Sequence, residues 1–574
     1  MRIRKTFLTA VTSAVLAAAV LTGCSRADDT TSAAPVAVAV SADLTAADVL
    51  AANKKVHTAA TVDASQTIDI TLSGHTARAS GSGVKVDGGT VTITAGGVYR
   101  ISGTINDGQL VVTAPDATVT LILDGAHVTS STTAAIAATE VSELIVDLAD
   151  GSTNELADAS SHAADADVNA ALFSAGDLTI TGSGALAVRG NGNDAIASKD
   201  GLVVQSGALT VQAKDDGIRG KDYVVVNGGT LAVTAGGDGL KADNEDEDAG
   251  FVAVAGGSVA VTSGGDGVDA TTDLVVTGGK VTVTAGGGAA TQPSDDVSTK
   301  GLKSGVISVL EGGTLTVDSS DDAVHSDGAV RLSGATVTAA SGDDGIHAES
   351  NLRVDSGSLT VTASVEGVES ATIAVNGGKV TLTASDDGLN AAGGSTDTST
   401  GDAAGGQQRG GGPGGGGEQV GPYTATVTGG ELVINAEGDG FDSNGTASIT
   451  GGKVVVNGPT RNGNGALDVN GTFRVDGGEL IAVGSAGMVV TPDAASTQGW
   501  LSATLDSAVE AGTTVTILDG DGKEVAAFTA SKTMQNVVYS AATIEKGQQY
   551  SVSGTTVTAG EAPAGGGGFG RGGR

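Results

Sequence analysis

The chain has one cysteine, Cys24, so no disulfide can form within it. Aromatic residues are 2% of 574, with a single tryptophan, which rules out a thick globular core of bulky side chains. The same scarcity excludes a flat aromatic platform of the kind that stacks on neutral sugars. Bases are few: 30 Lys and Arg face 66 Asp and Glu, for a formal charge of −36. That balance excludes a nucleic-acid partner, which needs clustered Lys and Arg, and favours cations and anions bridged by them. No unit has an uninterrupted helical pattern, and beyond the N-terminus no segment is apolar enough to span a bilayer.

Glycine, at 92 residues, and small aliphatic side chains fill the space instead. The N-terminus reads as an export segment, 1–23, with a basic "MRIRKTF" followed by the apolar "LTAVTSAVLAAAV". The next stretch, "LTGC", resembles a bacterial lipobox, which implies cleavage before Cys24 and lipidation of Cys24. Loss of Arg2, Arg4 and Lys5 would take the charge from −36 to −39. The expected location is extracytoplasmic, lipid-anchored to the cell membrane. Residues 24–65, mixed in Ala, Ser, Thr and Asp, read as a flexible tether.

The remainder repeats. Aligned on the small residue of the "DG" motif, the markers are Ala195, Gly217, Gly239, Gly267, Gly301, Ala323, Gly345, Gly367, Gly388 and Gly440. Most steps are 21 or 22 residues, broken by steps of 28, 34 and 52. The "GG" turns give the same base period independently. Units such as "YVVVNGGTLAVTAGGDGLKA" join β-branched strands through glycine turns. About 22 residues per coil predicts an all-β fold, a right-handed parallel β-helix over 66–496 with a Gly-rich inserted loop at 391–422. Residues 497–556 read as a small β-rich cap containing a hairpin through "DGDG", and 557–574 as a disordered tail.

Three columns flank each marker. The residue after it is always apolar, as an inward stack requires. The residue before it is acidic in nine of ten coils: Asp194, Asp216, Asp238, Asp266, Asp322, Asp344, Glu366, Asp387 and Asp439, with Lys300 the exception. Two residues after it comes a mixed column containing Arg219, Lys241, Lys303, His325, His347, Asn390 and Asp442. Both polar columns are expected to face solvent on one edge. Carboxylates one strand spacing apart, roughly 4.8 Å, repel by about 3–4 kcal/mol at an effective dielectric near 20. Bases offset part of this in the N-terminal half, and cations are expected where bases thin out. Carboxylates, Asn and turn carbonyls suit Ca²⁺. Asp194, Asp215, Asp216, Asp238, Asp243, Asp246, Asp266, Asp322, Asp344 and Asp387 are the candidate ligands, Asp243 and Asp246 lying in the acidic insertion "KADNEDEDAG". Six histidines without paired spacing argue against zinc. The competing reading is that Asp-Gly serves only as a turn pair.

The stretches "YRISGTINDGQLVV", "NDAIASKD", "DDGIRGKD" and "GDGLKADN", in that order, resemble a family of bacterial calcium- and carbohydrate-binding β-helix proteins related in fold to pectate lyases. The resemblance implies several Ca²⁺ ions and affinity for acidic plant-type polysaccharides such as polygalacturonate. It carries over to Asp194, Asp215, Asp216, Asp238 and Asp243, with Lys199, Arg219, Lys221 and Lys241 as the bases beside the sugar. The lipid anchor and the Gly-rich insertion depart from it. The expectation is a monomeric, non-catalytic binder of acidic polysaccharide. A lyase using one of those four bases to abstract the proton α to a uronate carboxylate is the rival. A calcium-rigidified envelope scaffold or adhesin is the third reading.

Overall fold

The computed structural model describes residues 40–58, 64–163, 166–293, 296–393 and 420–562. The leader, Cys24, the tether before residue 40, most of the inserted loop and the end of the tail lie outside the described residues. From Ile68 to Gly484 the chain winds into a parallel β-helix of about 15 coils, averaging about 24 residues each. The mean exceeds the base period because some turns carry insertions. Ile196 pairs with Ile218, a step of 22, whereas Val268 pairs with Leu302 and Leu389 with Phe441, steps of 34 and 52.

Each coil contributes three short strands, one to each face, as in Ile218–Gly220, Tyr223–Val226 and Thr230–Ala235. The inward column runs unbroken through Ile196, Ile218, Leu240, Val268, Leu302, Val324, Ile346, Val368, Leu389, Phe441 and Leu467, all buried. The third face alternates buried and exposed, for example Leu231 and Val233 inward between Thr230, Ala232 and Thr234. That alternation marks a face with water on one side.

The second face differs. Its strands "YVVV", "FVAV" and "DLVV" are buried at every position. The cause is a strap, residues 40–58, laid across them. Its short helix Ala46–Ala52 starts on a capping box between Thr45 and Asp48. Ala42, Ala46 and Val49 pack on Tyr223, Val225, Phe251, Val275, Val309 and Ala329. Polar ties fix the ends: Asn351 Nδ2 donates to the Val40 carbonyl (2.7 Å) and Asn53 Nδ2 to Asp273 Oδ2 (2.7 Å). His57 meets the Tyr223 hydroxyl (2.9 Å) and the Thr179 hydroxyl (2.7 Å). The segment read as flexible tether over 24–65 is therefore docked from Val40 to His57. A fully apolar strand on a solvent-side face needs a cover, and the strap supplies it.

At the far end, Glu479–Gly484 and Trp500–Val509 both pair antiparallel with Met534–Ser540, closing the last coil. A separate four-stranded sheet follows, in which Thr514–Leu518 and Glu524–Thr529 form the hairpin around "DGDG". The strand Thr555–Thr558 extends this cap slightly past residue 556.

Candidate functional site

The two polar columns form the edge beside the inward Ile/Leu/Val column. The acidic column does not face solvent as expected. Asp194, Asp216, Asp238, Asp266, Asp322 and Asp344 are all buried. For all but Asp344 the burial has a local cause. One carboxylate oxygen accepts the backbone N–H of the equivalent residue in the next coil: Asp216 N to Asp194 Oδ1 (3.3 Å), Asp238 N to Asp216 Oδ1 (2.9 Å), Asp266 N to Asp238 Oδ1 (2.8 Å) and Lys300 N to Asp266 Oδ1 (2.7 Å). Asp344 N repeats this with Asp322 Oδ1 (3.1 Å), and Asp439 N with Asp387 Oδ1 (2.6 Å). Each aspartate thus ties two coils together and satisfies a turn N–H that would otherwise be orphaned.

The second oxygen turns to the mixed column, which divides the edge into three zones. In the first, bases meet it. Arg219 lies 3.6 Å from Asp194 Oδ2 and also pairs with Asp243. Lys241 binds Asp238 Oδ2 at 2.6 Å, with Asp216 and Asp269 at 3.5 and 3.8 Å. Lys303 bridges Asp266 and Asp269 at 3.1 and 3.2 Å. Arg219 and Lys241, the bases expected beside the sugar, pair here with protein carboxylates. Lys221 donates to the Asp243 carbonyl (2.9 Å), and only Lys199 stands exposed, 6.0 Å from the Phe173 ring centroid. Asp215 and Asp246 are also exposed and outside the buried column.

In the second zone histidines replace the bases. His325 Nδ1 lies 2.7 Å from Asp322 Oδ2, and His347 Nδ1 lies 3.0 Å from Asp344 Oδ2. Against its burial, the His325 hydrogen bond and the Lys300 charge hold Asp322 below the usual carboxylate range.

In the third zone, Glu366 to Asp468, the mixed column continues beyond Glu369 as Asn390, Asp442 and Asp468. Among the described residues no Lys or Arg pairs with Glu366, Asp387 or Asp442. Burial and neighbouring carboxylates push Glu366 and Asp387 up to about 7 and Asp442 up to about 8. Asn390 donates to Glu366 (2.8 Å), while its Oδ1 is buried with no partner. An orphaned carbonyl oxygen amid half-buried carboxylates is a donor set for a hard cation. The candidate ligands read from the sequence include Asp387 here but not Glu366, Asn390 or Asp442, although the sequence places all three in these columns. The usable signal was the disappearance of bases from the mixed column after Lys303.

With this geometry in hand, relatives can be placed against it. Residues 87–345 match the family model described as carbohydrate-binding domain-containing protein. A carbohydrate-binding domain-containing protein of Acetivibrio thermocellus is 36% identical over 136 residues, 23% of this chain and 48% of the relative. The chain thus spans about half the length of that curated relative. A solved structure of a polysaccharide lyase-like protein from C. thermocellum, a gadolinium derivative, shares 32% identity with a TM-score of 0.38. It covers 39% of this chain and 92% of its own. The carbohydrate-binding match takes in the base-paired zone and His325 and stops just short of His347.

Proposed function

We propose that the chain is a non-catalytic binder of acidic polysaccharide, working through Ca²⁺ held on the third zone of the edge. The observation that carries this is the run Glu366, Asp387, Asn390 and Asp442, buried or half-buried, with an orphaned amide oxygen and no Lys or Arg partner. Ca²⁺ accepts six to eight oxygens in flexible geometry, so a protein-bound ion keeps positions for sugar carboxylates. Uronate chains are recognised by such bridging without aromatic stacking, which fits a chain with 2% aromatics. Lys199 and Lys221 remain the bases best placed to reach a polyanion. Lipidation at Cys24 would hold the β-helix at the outer face of the cell membrane, as the lipobox implies.

The test is retention on polygalacturonate with Ca²⁺ and with chelator, while absorbance of unsaturated product is followed. Chelator-sensitive retention without product supports the proposal. Product formation would establish the lyase instead, and chelator-sensitive melting without retention on any acidic glycan would establish the scaffold.

A further inference from the structure

The histidine zone carries a chemistry that the oxygen-only zone lacks. In linear sequence His325 and His347 have no metal-motif spacing, but the coil period places them in register on adjacent strands. Their ring centroids are 5.1 Å apart. The next residue in the same column is Glu369, paired with His347. Two triads result, Asp322–His325–His347 and Asp344–His347–Glu369, each with its donor atoms within 4.8 Å of one another. His347 belongs to both.

The spacings suit one ion. Donors on a metal with bonds of about 2.1 Å lie about 3.0 Å apart at right angles and about 3.4 Å apart in a tetrahedron. His347 Nδ1 is 3.0 Å from Asp344 Oδ2 and 3.6 Å from Glu369 Oε2. His347, only 7% exposed, turns Nδ1 to Asp344 and Glu369, while its buried Nε2 lies 3.6 Å from Glu349 Oε1. We propose that His325 and His347, with Asp322, Asp344 and Glu369, form a site for a borderline transition dication of the Zn²⁺ class, separate from the Ca²⁺ positions. Imidazole selects such ions over Ca²⁺, which prefers oxygen. In the first zone fixed bases fill this column; the histidines are the members of it able to give up a proton to a metal.

The experiment uses the full chain stripped of metal, titrated with Co²⁺ and followed by visible absorption, then challenged with Zn²⁺ and with Ca²⁺. The expected result is one Co²⁺ per chain with ligand-field bands distinct from the aqueous ion, removed by one equivalent of Zn²⁺ and resistant to millimolar-class Ca²⁺. Outer-sphere partners of metal ligands are worth about 10–100-fold in affinity, so His347→Gln should weaken Co²⁺ binding at least tenfold. Its Ca²⁺ titration should be unchanged. Imidazole ring NMR signals of the unaltered chain, shifting on Zn²⁺ addition, give a readout that needs no variant. Aqueous-type bands, equal binding by His347→Gln in a folded chain, unshifted imidazole signals or displacement by Ca²⁺ would each overturn the site. Failure of Ca²⁺ to support glycan retention would touch only the polysaccharide proposal.

Discussion

At the residue scale, Asp194, Asp216, Asp238, Asp266, Asp322 and Asp387 each have two employments, one per oxygen. The oxygen that binds the next coil's N–H is structural. The other is available, and the neighbouring column decides whether a base, a histidine or a cation meets it. In the metal-free protein, burial raises Asp194 to about 7, Glu366 and Asp387 to about 7 and Asp442 to about 8. The folded state therefore holds protons between about pH 4 and 8 that the unfolded chain has already released. Stability contributed by these groups is full below pH 4 and is lost as pH rises through 7 to 8. Thermal melts with chelator should show a higher midpoint at pH 5 than at pH 8, and Ca²⁺ should raise the pH 8 midpoint most. Asp442→Asn removes one of the repelling charges: it should raise the chelator midpoint at pH 8 and shrink the gain on adding Ca²⁺. The sequence showed these columns because the marker fixes their offsets. It hid their burial, since the N–H of the next coil that draws each aspartate inward is a contact made only on winding.

At the element scale, turns and strap set the packing. The "GG" turns stack coil on coil. Gly279 has φ 82°, and a Cβ there would lie 2.9 Å from the Gly256 and Gly257 carbonyl oxygens. Gly279→Ala should cost about 1–3 kcal/mol, read as a drop in denaturant midpoint. Val49, fully buried in the strap helix, is the other sensitive point. Val49→Asp would put an unpaired charge against Val225 and Val275, and limited proteolysis should then cut first within residues 40–58. Period and strand pattern made the coils legible from residues alone. The strap was missed because its helix is seven residues long, too short for a periodic signal. Two local signs pointed to it: the Thr45–Asp48 capping box, and strands such as "YVVV" that are apolar on both sides.

At the scale of the whole molecule, one continuous column of polar residues passes through three chemistries along a single edge: base-paired, imidazole, then carboxylate. A coil insertion between zones would shift their spacing by about one strand separation, roughly 4.8 Å, without altering any one of them. Exchanging Asn390 and Asp442 for lysine should rebuild the first zone's pairing in the third, abolishing Ca²⁺-dependent retention on polygalacturonate while the fold, judged by circular dichroism, stays. The strap adds a property of another kind. It crosses eight successive coils, from that of Asn351 at Val40 to that of Thr179 at His57. A pull applied at the N-terminal side of Val40 therefore enters the body in its middle, spread across those coils. The terminal coil, which would unzip most easily, carries no load until the strap has been torn away.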